Sequence, residues 1–298
     1  MAYREITVKS VLNKHRKRDP WFLDEYSINP YSGCSFNCIY CYIYGSKYGG
    51  KDRGVISVKM NAPEVLEKQI NLRARKAQYG FIALSSSTEP YMNIEKRYKL
   101  TRRILEIILK YRFPVHVLTK STLVVRDFDL ILKIAESAIL PDDICVREGA
   151  FLTVSISTLN GALAKKIEPG APSPAERLKI VEKARAYGIK SGIAFIPIIP
   201  FLSDSEDAMN DMLSAAEEVH ADYLFIGTLT LFGKSSHDSK MSFYRFLERF
   251  HPELLTEYRK MYKIFPAPPE DYSRRLYKMW ENEANKRGLH TGLPGCKI

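Results

Sequence analysis

Apolar positions along the chain alternate between two rhythms. Short apolar runs bounded by turn residues predict strands over 28–32, 81–84, 114–118, 151–157, 191–196 and 223–227. Between them, apolar residues recur at helical period over 63–79, 95–111, 128–138, 175–187 and 206–219. In the second of these, Leu100, Ile104, Ile107 and Ile108 share one face. The ends carry start and stop signals. Pro63 suits a first turn and Gly80 a stop, Asp127 is placed to cap the third helix, and Ser173-Pro174 and Gly188 bracket the fourth. Residues 45–54, with Gly49-Gly50 inside, predict a flexible excursion. After Gly233 the rhythm changes. A mostly helical stretch over 241–265 is broken near Pro252, and a last helix covers 272–287.

Six strand–helix steps imply a parallel sheet with right-handed crossovers. The expected fold is α/β, a partial TIM barrel of the (β/α)6 kind with a helical C-terminal extension. The expected division is a basic lead-in over 1–27, the barrel over 28–235 and the extension over 236–298. Barrels of this type place their chemistry at the C-terminal ends of the strands, so the loops that follow strands are the segments to search.

Composition narrows the class. At 298 residues and 45% hydrophobic the chain can bury a large core. No apolar run approaches the ~20 residues of a membrane span, and the N-terminus lacks a signal-like apolar stretch, so the expectation is a cytoplasmic protein with no membrane partner. Five cysteines, three of them clustered, suit metal ligation in a reducing compartment better than a disulfide framework. A net charge of +11 implies attraction to polyanions such as nucleic acid, densest at Lys14, Arg16, Lys17 and Arg18. A solvated surface rich in lysine and arginine would read the same way.

The strongest chemical signal is the run from Asn29 to Cys41, which holds Cys34, Cys38 and Cys41 at C-x3-C-x2-C spacing. Soft thiolates at one point select an iron–sulfur cluster, zinc or copper(I). Three thiolates fit a [4Fe-4S] cluster with one iron left open to a small molecule. A zinc knuckle or a redox dithiol is the competing reading, but no fourth Cys or His lies close in sequence to complete a zinc site. The six histidines are scattered singly.

The string NPYSGCSFNCIYCY resembles the radical S-adenosylmethionine (SAM) superfamily, and within it the spore photoproduct lyase-like proteins often labelled DNA repair photolyase. The resemblance implies a [4Fe-4S] cluster on Cys34, Cys38 and Cys41, SAM on its open iron, and an electron donor such as ferredoxin or flavodoxin. Reductive cleavage of SAM would then give a 5′-deoxyadenosyl radical that abstracts hydrogen from a substrate C–H bond. It further implies that Ser86, Ser87 and Thr88 bind the methionine moiety and that Lys120, in Thr119-Lys120-Ser121, contacts SAM. By the same token Ser157 lies near its ribose or carboxylate, and Arg177, in the EPGAPSPAER run, reaches the mouth and offers a fork to a carboxylate. Pro197 packs against adenine, and Tyr42 supports adenine with its backbone or ring. Tyr40 and Tyr42 match the tyrosines of the lyase's radical relay and are the catalytic candidates.

The chain also departs from the lyase. No thiol precedes the Ser85–Thr88 run, where the lyase carries its hydrogen-donating cysteine, so standard spore photoproduct repair is not expected. The substrate is unidentified, with nucleic acid the first candidate and a peptide or small metabolite the second. Cys145 is expected as a buried structural thiol. Cys296, in a Gly- and Pro-containing tail, either folds over the mouth to present a catalytic thiol or dangles free. The alternative from another class is a non-enzymatic nucleic-acid-binding protein with a structural metal site.

Overall fold

In the computed structural model, which describes residues 2–47, 49 and 54–296, the chain opens with β1 (Ala2–Ile6) and β2 (Asn13–Lys14). There follow β3 (Asp24–Ile28), β4 (Tyr31–Ser32), β5 (Val55–Lys59) and α1 (Ala62–Arg75). Next come β6 (Phe81–Leu84), α2 (Glu95–Tyr98), α3 (Leu100–Lys110), β7 (Val115–Thr119) and α4 (Phe128–Ser137). The second half runs through β8 (Ala150–Ser155), α5 (Gly161–Ile167), α6 (Pro174–Ala186), β9 (Ser191–Ile198), α7 (Glu206–Glu218) and β10 (Tyr223–Thr228). It closes with α8 (Ser239–Phe250), α9 (Leu255–Met261) and α10 (Glu270–Lys286). Seven strands form one sheet in the order β10-β9-β8-β7-β6-β3-β2, parallel except for the antiparallel β2–β3 pair. A second sheet, β1-β5-β4, stands apart. Six parallel strands with covering helices make the expected partial barrel.

Four expectations shift for local physical reasons. The first barrel strand is β3, inside the expected lead-in. Pro30 has no N–H to extend a ladder, and the chain leaves the barrel there, so Tyr31 and Ser32 pair with β5 instead. The 95–111 helix breaks at Lys99, whose φ is 50°, because the buried Glu95 carboxylate accepts from the Thr101 and Arg102 amides at 3.1 and 3.4 Å and caps a new helix. Asp127, expected as a cap, makes no cap bond; Arg102 and Arg126 take its carboxylate at 2.8 and 2.7 Å. The first helix likewise ends at Arg75 rather than near Gly80. Gly80 is needed instead for close packing, since a Cβ there would overlap the Glu25 carboxylate. Part of the 45–54 excursion (Tyr48, Gly50, Lys51, Asp52 and Arg53) lies outside the described residues.

Burial separates the molecule into layers. Between sheet and helices lies a core containing Ile28, Leu84, Val117, Leu152, Phe195 and Leu224, which faces Ile104, Ile131, Ile180, Met212 and Trp280. Inside the lower half of the barrel sit Leu23, Phe81, Phe151, Tyr223 and Phe225, with Trp21 and Phe22 inserted from the lead-in. A third cluster joins the cysteine loop to the extension: Phe36, Cys38 and Tyr40 pack with Phe243, Phe246, Tyr258 and Tyr262.

The tail overturns two expectations. Leu224 exchanges backbone hydrogen bonds with His290 and Gly292, both at 2.8 Å, so 290–292 line the free edge of β10. Beyond them Cys296 forms a disulfide with Cys145, 151 residues away in sequence, with Cα atoms 5.1 Å apart. Cys145 precedes β8 at the end of the barrel opposite the mouth. Cys296 is therefore neither a thiol over the mouth nor a dangling one, and Cys145 is an exposed disulfide partner rather than a buried thiol. Tail pairing along β10 carries the cysteine to the end of the barrel away from the mouth.

Candidate cofactor site at the barrel mouth

The cysteine loop leaves β4 and is folded by contacts that only the tertiary structure supplies. The Thr88 hydroxyl donates to the Gly33 carbonyl at 2.5 Å, the Ile39 amide to Ile167 O at 2.9 Å and the Gly170 amide to Phe36 O at 3.0 Å. Gly170 is required because a Cβ would lie 2.5 Å from Ser35 O. So held, Cys34, Cys38 and Cys41 line one cavity of about 140 Å³ together with Ser85, Ser86, Ser87, Thr88, Glu89, Lys120 and Ser155. A second cavity of about 290 Å³ shares Cys38, Cys41, Tyr42, Ser86, Leu118, Lys120 and Ser155, and continues to Trp21, Phe22, Ile196, Pro197 and Thr228. The expected residues of three strand-end loops thus meet around the cysteines.

Burial dominates the electrostatics. It pushes the Cys34 thiol up to about 12 and the Cys38 thiol well above its ordinary value, with Glu89 and Glu168 respectively as the next causes. Neutral buried thiols would lose their protons to solvent on binding a metal centre, so loading would release protons. The Ser85 hydroxyl, at a residue with φ 67°, is buried without a hydrogen-bond partner and lines the first cavity. Three soft donors, an orphaned hydroxyl and two connected cavities fit a thiolate-bound cluster with a polar ligand beside it.

Two carboxylates here were not singled out by sequence reasoning. Glu89 accepts from the Thr119 hydroxyl at 2.5 Å, the Lys120 amide at 2.9 Å and the Tyr91 amide at 3.0 Å, yet burial still pushes it above the ordinary carboxylate range. Glu168 is 2% exposed. Burial would raise it too, but Lys120 and Arg177 hold it below the ordinary range. It takes hydrogen bonds from the Tyr40 hydroxyl, from Ser157 Oγ at 3.0 Å and from Arg177, with Lys120 Nζ 3.9 Å away.

Glu168 corrects two site expectations. Arg177, 1% exposed, is engaged by Glu168, by Ser155 O at 3.0 Å and by Pro172 O at 2.8 Å, so its guanidinium offers no fork to a ligand at the mouth. Ser157, fully buried, spends its hydroxyl on Glu168, and neither residue lines either cavity. Ser155, two residues earlier, is the strand-end serine facing the cavities, and Lys120 Nζ donates to its Oγ at 2.7 Å. Tyr42 lines both cavities and donates to Ser86 O at 2.5 Å, whereas the Tyr40 hydroxyl is committed to Glu168. The basic run falls at the far end. Arg18 pairs with Glu25 and Asp143, both at 3.1 Å, while Lys14, Arg16 and Lys17 are exposed.

Known proteins resemble the chain in sequence and in fold. The family model described as the Radical SAM superfamily matches residues 28–213, more than half of the chain. An uncharacterised protein of Methanocaldococcus jannaschii is 32% identical over 232 residues, 77% of each chain. One of Mycobacterium tuberculosis is 29% identical over 285 residues, 93% of this chain and 78% of that one. Among solved structures, a mutant of spore photoproduct lyase superposes with a TM-score of 0.66 at 15% identity, covering 97% of this chain and 81% of the lyase. Another lyase mutant, with bound AdoMet and dinucleoside spore photoproduct, gives 0.59 at 16% identity over 90% and 76%. At these identities the structural likeness is one of fold.

Proposed function

The chain belongs to the radical SAM superfamily, whose members use a [4Fe-4S] cluster and SAM, and from that premise we propose that it cleaves SAM reductively to abstract hydrogen from a substrate C–H bond. When bound, the cluster supplies the electron that breaks the S–C5′ bond of SAM and frees a 5′-deoxyadenosyl radical. The observation that carries the reading is the convergence of Cys34, Cys38 and Cys41 with three strand-end loops on two connected cavities. The three cysteines hold the cluster. Glu89, which accepts only from neutral donors, takes the methionine ammonium, and Lys120 takes its carboxylate as a point charge. Ser86, Ser87 and Thr88 offer hydroxyls and backbone beside them, while Tyr42 and Pro197 flank the adenine. Glu168 holds Tyr40 and Lys120 in place from behind, with Ser157 and Arg177 in support. The apolar wall of Trp21, Phe22 and Leu118 keeps water from the radical.

Nucleic acid is the first candidate substrate. The net charge of +11 supports it, as does the fold shared with a lyase solved with a dinucleoside photoproduct. The Lys14–Arg18 run lies away from the mouth, so its part would be to anchor distant backbone rather than to present the reacting unit. The test is anaerobic purification with iron and sulfide assays, followed by dithionite, SAM and chromatography of 5′-deoxyadenosine. About four irons per chain with 5′-deoxyadenosine formed, both lost in Cys38→Ala, is the expected result. Zinc in place of iron, or a cluster that never cleaves SAM, would sink the reading. Stimulation of turnover by DNA or RNA oligonucleotides, and not by peptides, is the result expected of the substrate class.

A further inference from the structure

We propose that a side cavity adjoining the mouth, walled by Trp21, Tyr277 and Glu281, holds an unpaired guanine of a single-stranded nucleic acid, next to the nucleotide that reacts. The inference rests on the reading above and narrows its substrate class.

The cavity, about 350 Å³, lies where β10 forms the last strand of its sheet. The tail pairs with that edge at Leu224. Phe225 and Ile226 line the cavity from the strand, Tyr277 and Glu281 from α10, and Thr291 from the tail. Trp21 lines both this cavity and the 290 Å³ cavity of the mouth, so one indole is a wall of both. Its position is fixed from several sides. The Asp19 carboxylate accepts from the Trp21 and Phe22 amides at 2.8 and 2.9 Å. The indole stacks on Phe225 with planes 7° apart. Gly227 leaves room for the ring, since a Cβ there would lie 3.3 Å from Trp21 Cη2. On β10, Ile226 lines the side cavity and Thr228 the mouth. Two residues of strand span about 7 Å, which is also the reach between neighbouring bases of an extended single strand.

The lining selects a flat group that carries N–H donors. Trp21 and Tyr277 offer aromatic surface, on which any base stacks. Glu281 follows Tyr277 by four residues, so the two share one side of α10. Neither the Tyr277 hydroxyl nor the Glu281 carboxylate has a hydrogen-bond or ion-pair partner among the described residues. An ionised carboxylate only accepts, and it repels phosphate. At a nucleic-acid site it therefore reads a base edge rather than the backbone. Guanine presents N1–H and N2–H side by side and engages both carboxylate oxygens, whereas thymine presents a single N–H on that edge. The edge is free only in an unpaired base, which makes the substrate single-stranded at this position.

The test uses the full-length, cluster-loaded chain with SAM and fluorescein-labelled DNA. The strands are an oligothymidylate and the same strand with one guanine placed at each position in turn. Fluorescence polarisation gives their affinities for wild type, Glu281→Gln and Tyr277→Leu. Glu281 is exposed and Tyr277 half-buried, so the fold tolerates both changes. The wild type is expected to bind the best guanine-bearing strand about tenfold more tightly than the oligothymidylate, the discrimination that one bidentate pair supplies. Glu281→Gln should erase that preference and leave oligothymidylate affinity in place, while Tyr277→Leu should weaken the guanine-bearing strand through lost stacking. Equal wild-type affinity for all strands, or a guanine preference that survives Glu281→Gln, would overturn the proposal. If no strand binds while dithionite still drives 5′-deoxyadenosine formation, the nucleic-acid substrate falls with it and the SAM chemistry stands. If SAM is never cleaved, the proposed function fails, and polarisation still decides the guanine site.

Discussion

The lower interior of the barrel and its mouth are built on the same strands, yet the first is filled with side chains and the second lines cavities. Below, the ring of His116 packs among Phe22, Phe151, Tyr223 and Phe225. A chain of hydrogen bonds links its Nε2 to Thr153 Oγ1 at 2.6 Å, Thr153 to the Tyr223 hydroxyl at 2.8 Å, and Tyr223 to Leu152 O at 3.1 Å. Above, three thiols face connected cavities, Ser85 has no partner, and Glu89 is held by neutral donors alone. Polar groups left unfinished in a buried site cost stability and persist where a ligand completes them. The same strands therefore pack closed at one end and line cavities at the other.

Substitutions can break that contrast. Cys38→Ala has the largest effect, removing SAM cleavage altogether while leaving the lower interior untouched. Next is Glu168→Leu, which strands Arg177 as an unpaired buried charge and should cost about 3–5 kcal/mol in denaturant unfolding. Adding Arg177→Met should recover most of that loss. A single variant within about 1 kcal/mol of wild type would show that Glu168 does not organise the mouth. At the opposite end, Cys145→Ser opens a long closed loop and should cost about 2–4 kcal/mol under oxidising conditions. The difference should vanish in reductant, and 5′-deoxyadenosine formation should not change. A Cys145→Ser variant with lost SAM cleavage at full stability would restore a catalytic role to this cysteine pair.

The smallest effect is on pH dependence. Burial pushes His116 down to about 3 from an ordinary 6.5, so the unfolded chain binds the proton more readily. Its contribution is fully present above about 6.5 and is lost as pH falls towards 3, amounting to about 2 kcal/mol by pH 5. His116→Phe should flatten that part of the stability curve relative to wild type. Identical slopes for the two chains between pH 7 and 5 would refute the buried neutral imidazole.

Much of this was legible in the chain. Apolar rhythm marked five of the six barrel strands to within a few residues, because each buries a continuous run, and Ser173-Pro174 marked the start of α6. The first, β3, was placed late because Asp24, Glu25 and Ser27 interrupt its apolar run. Helix α5 was missed because seven residues carry little periodicity. The 95–111 helix was joined across Lys99 because the carboxylate that splits it lies at its own start.

Local pattern alone determined the parallel α/β barrel, the clustering of Cys34, Cys38 and Cys41 in one loop, and the strand-end position of the loops around it. These depend on residues a few places apart, whose periodicity and spacing are written in the chain. Only the tertiary structure decided that Arg177 and Ser157 turn away from the cavities, that Glu168 meets Tyr40 across 128 residues, and that Cys296 finds Cys145 across 151. A buried charge must pair with whatever opposite group or donor the fold delivers, and no stretch of sequence shows which one that is.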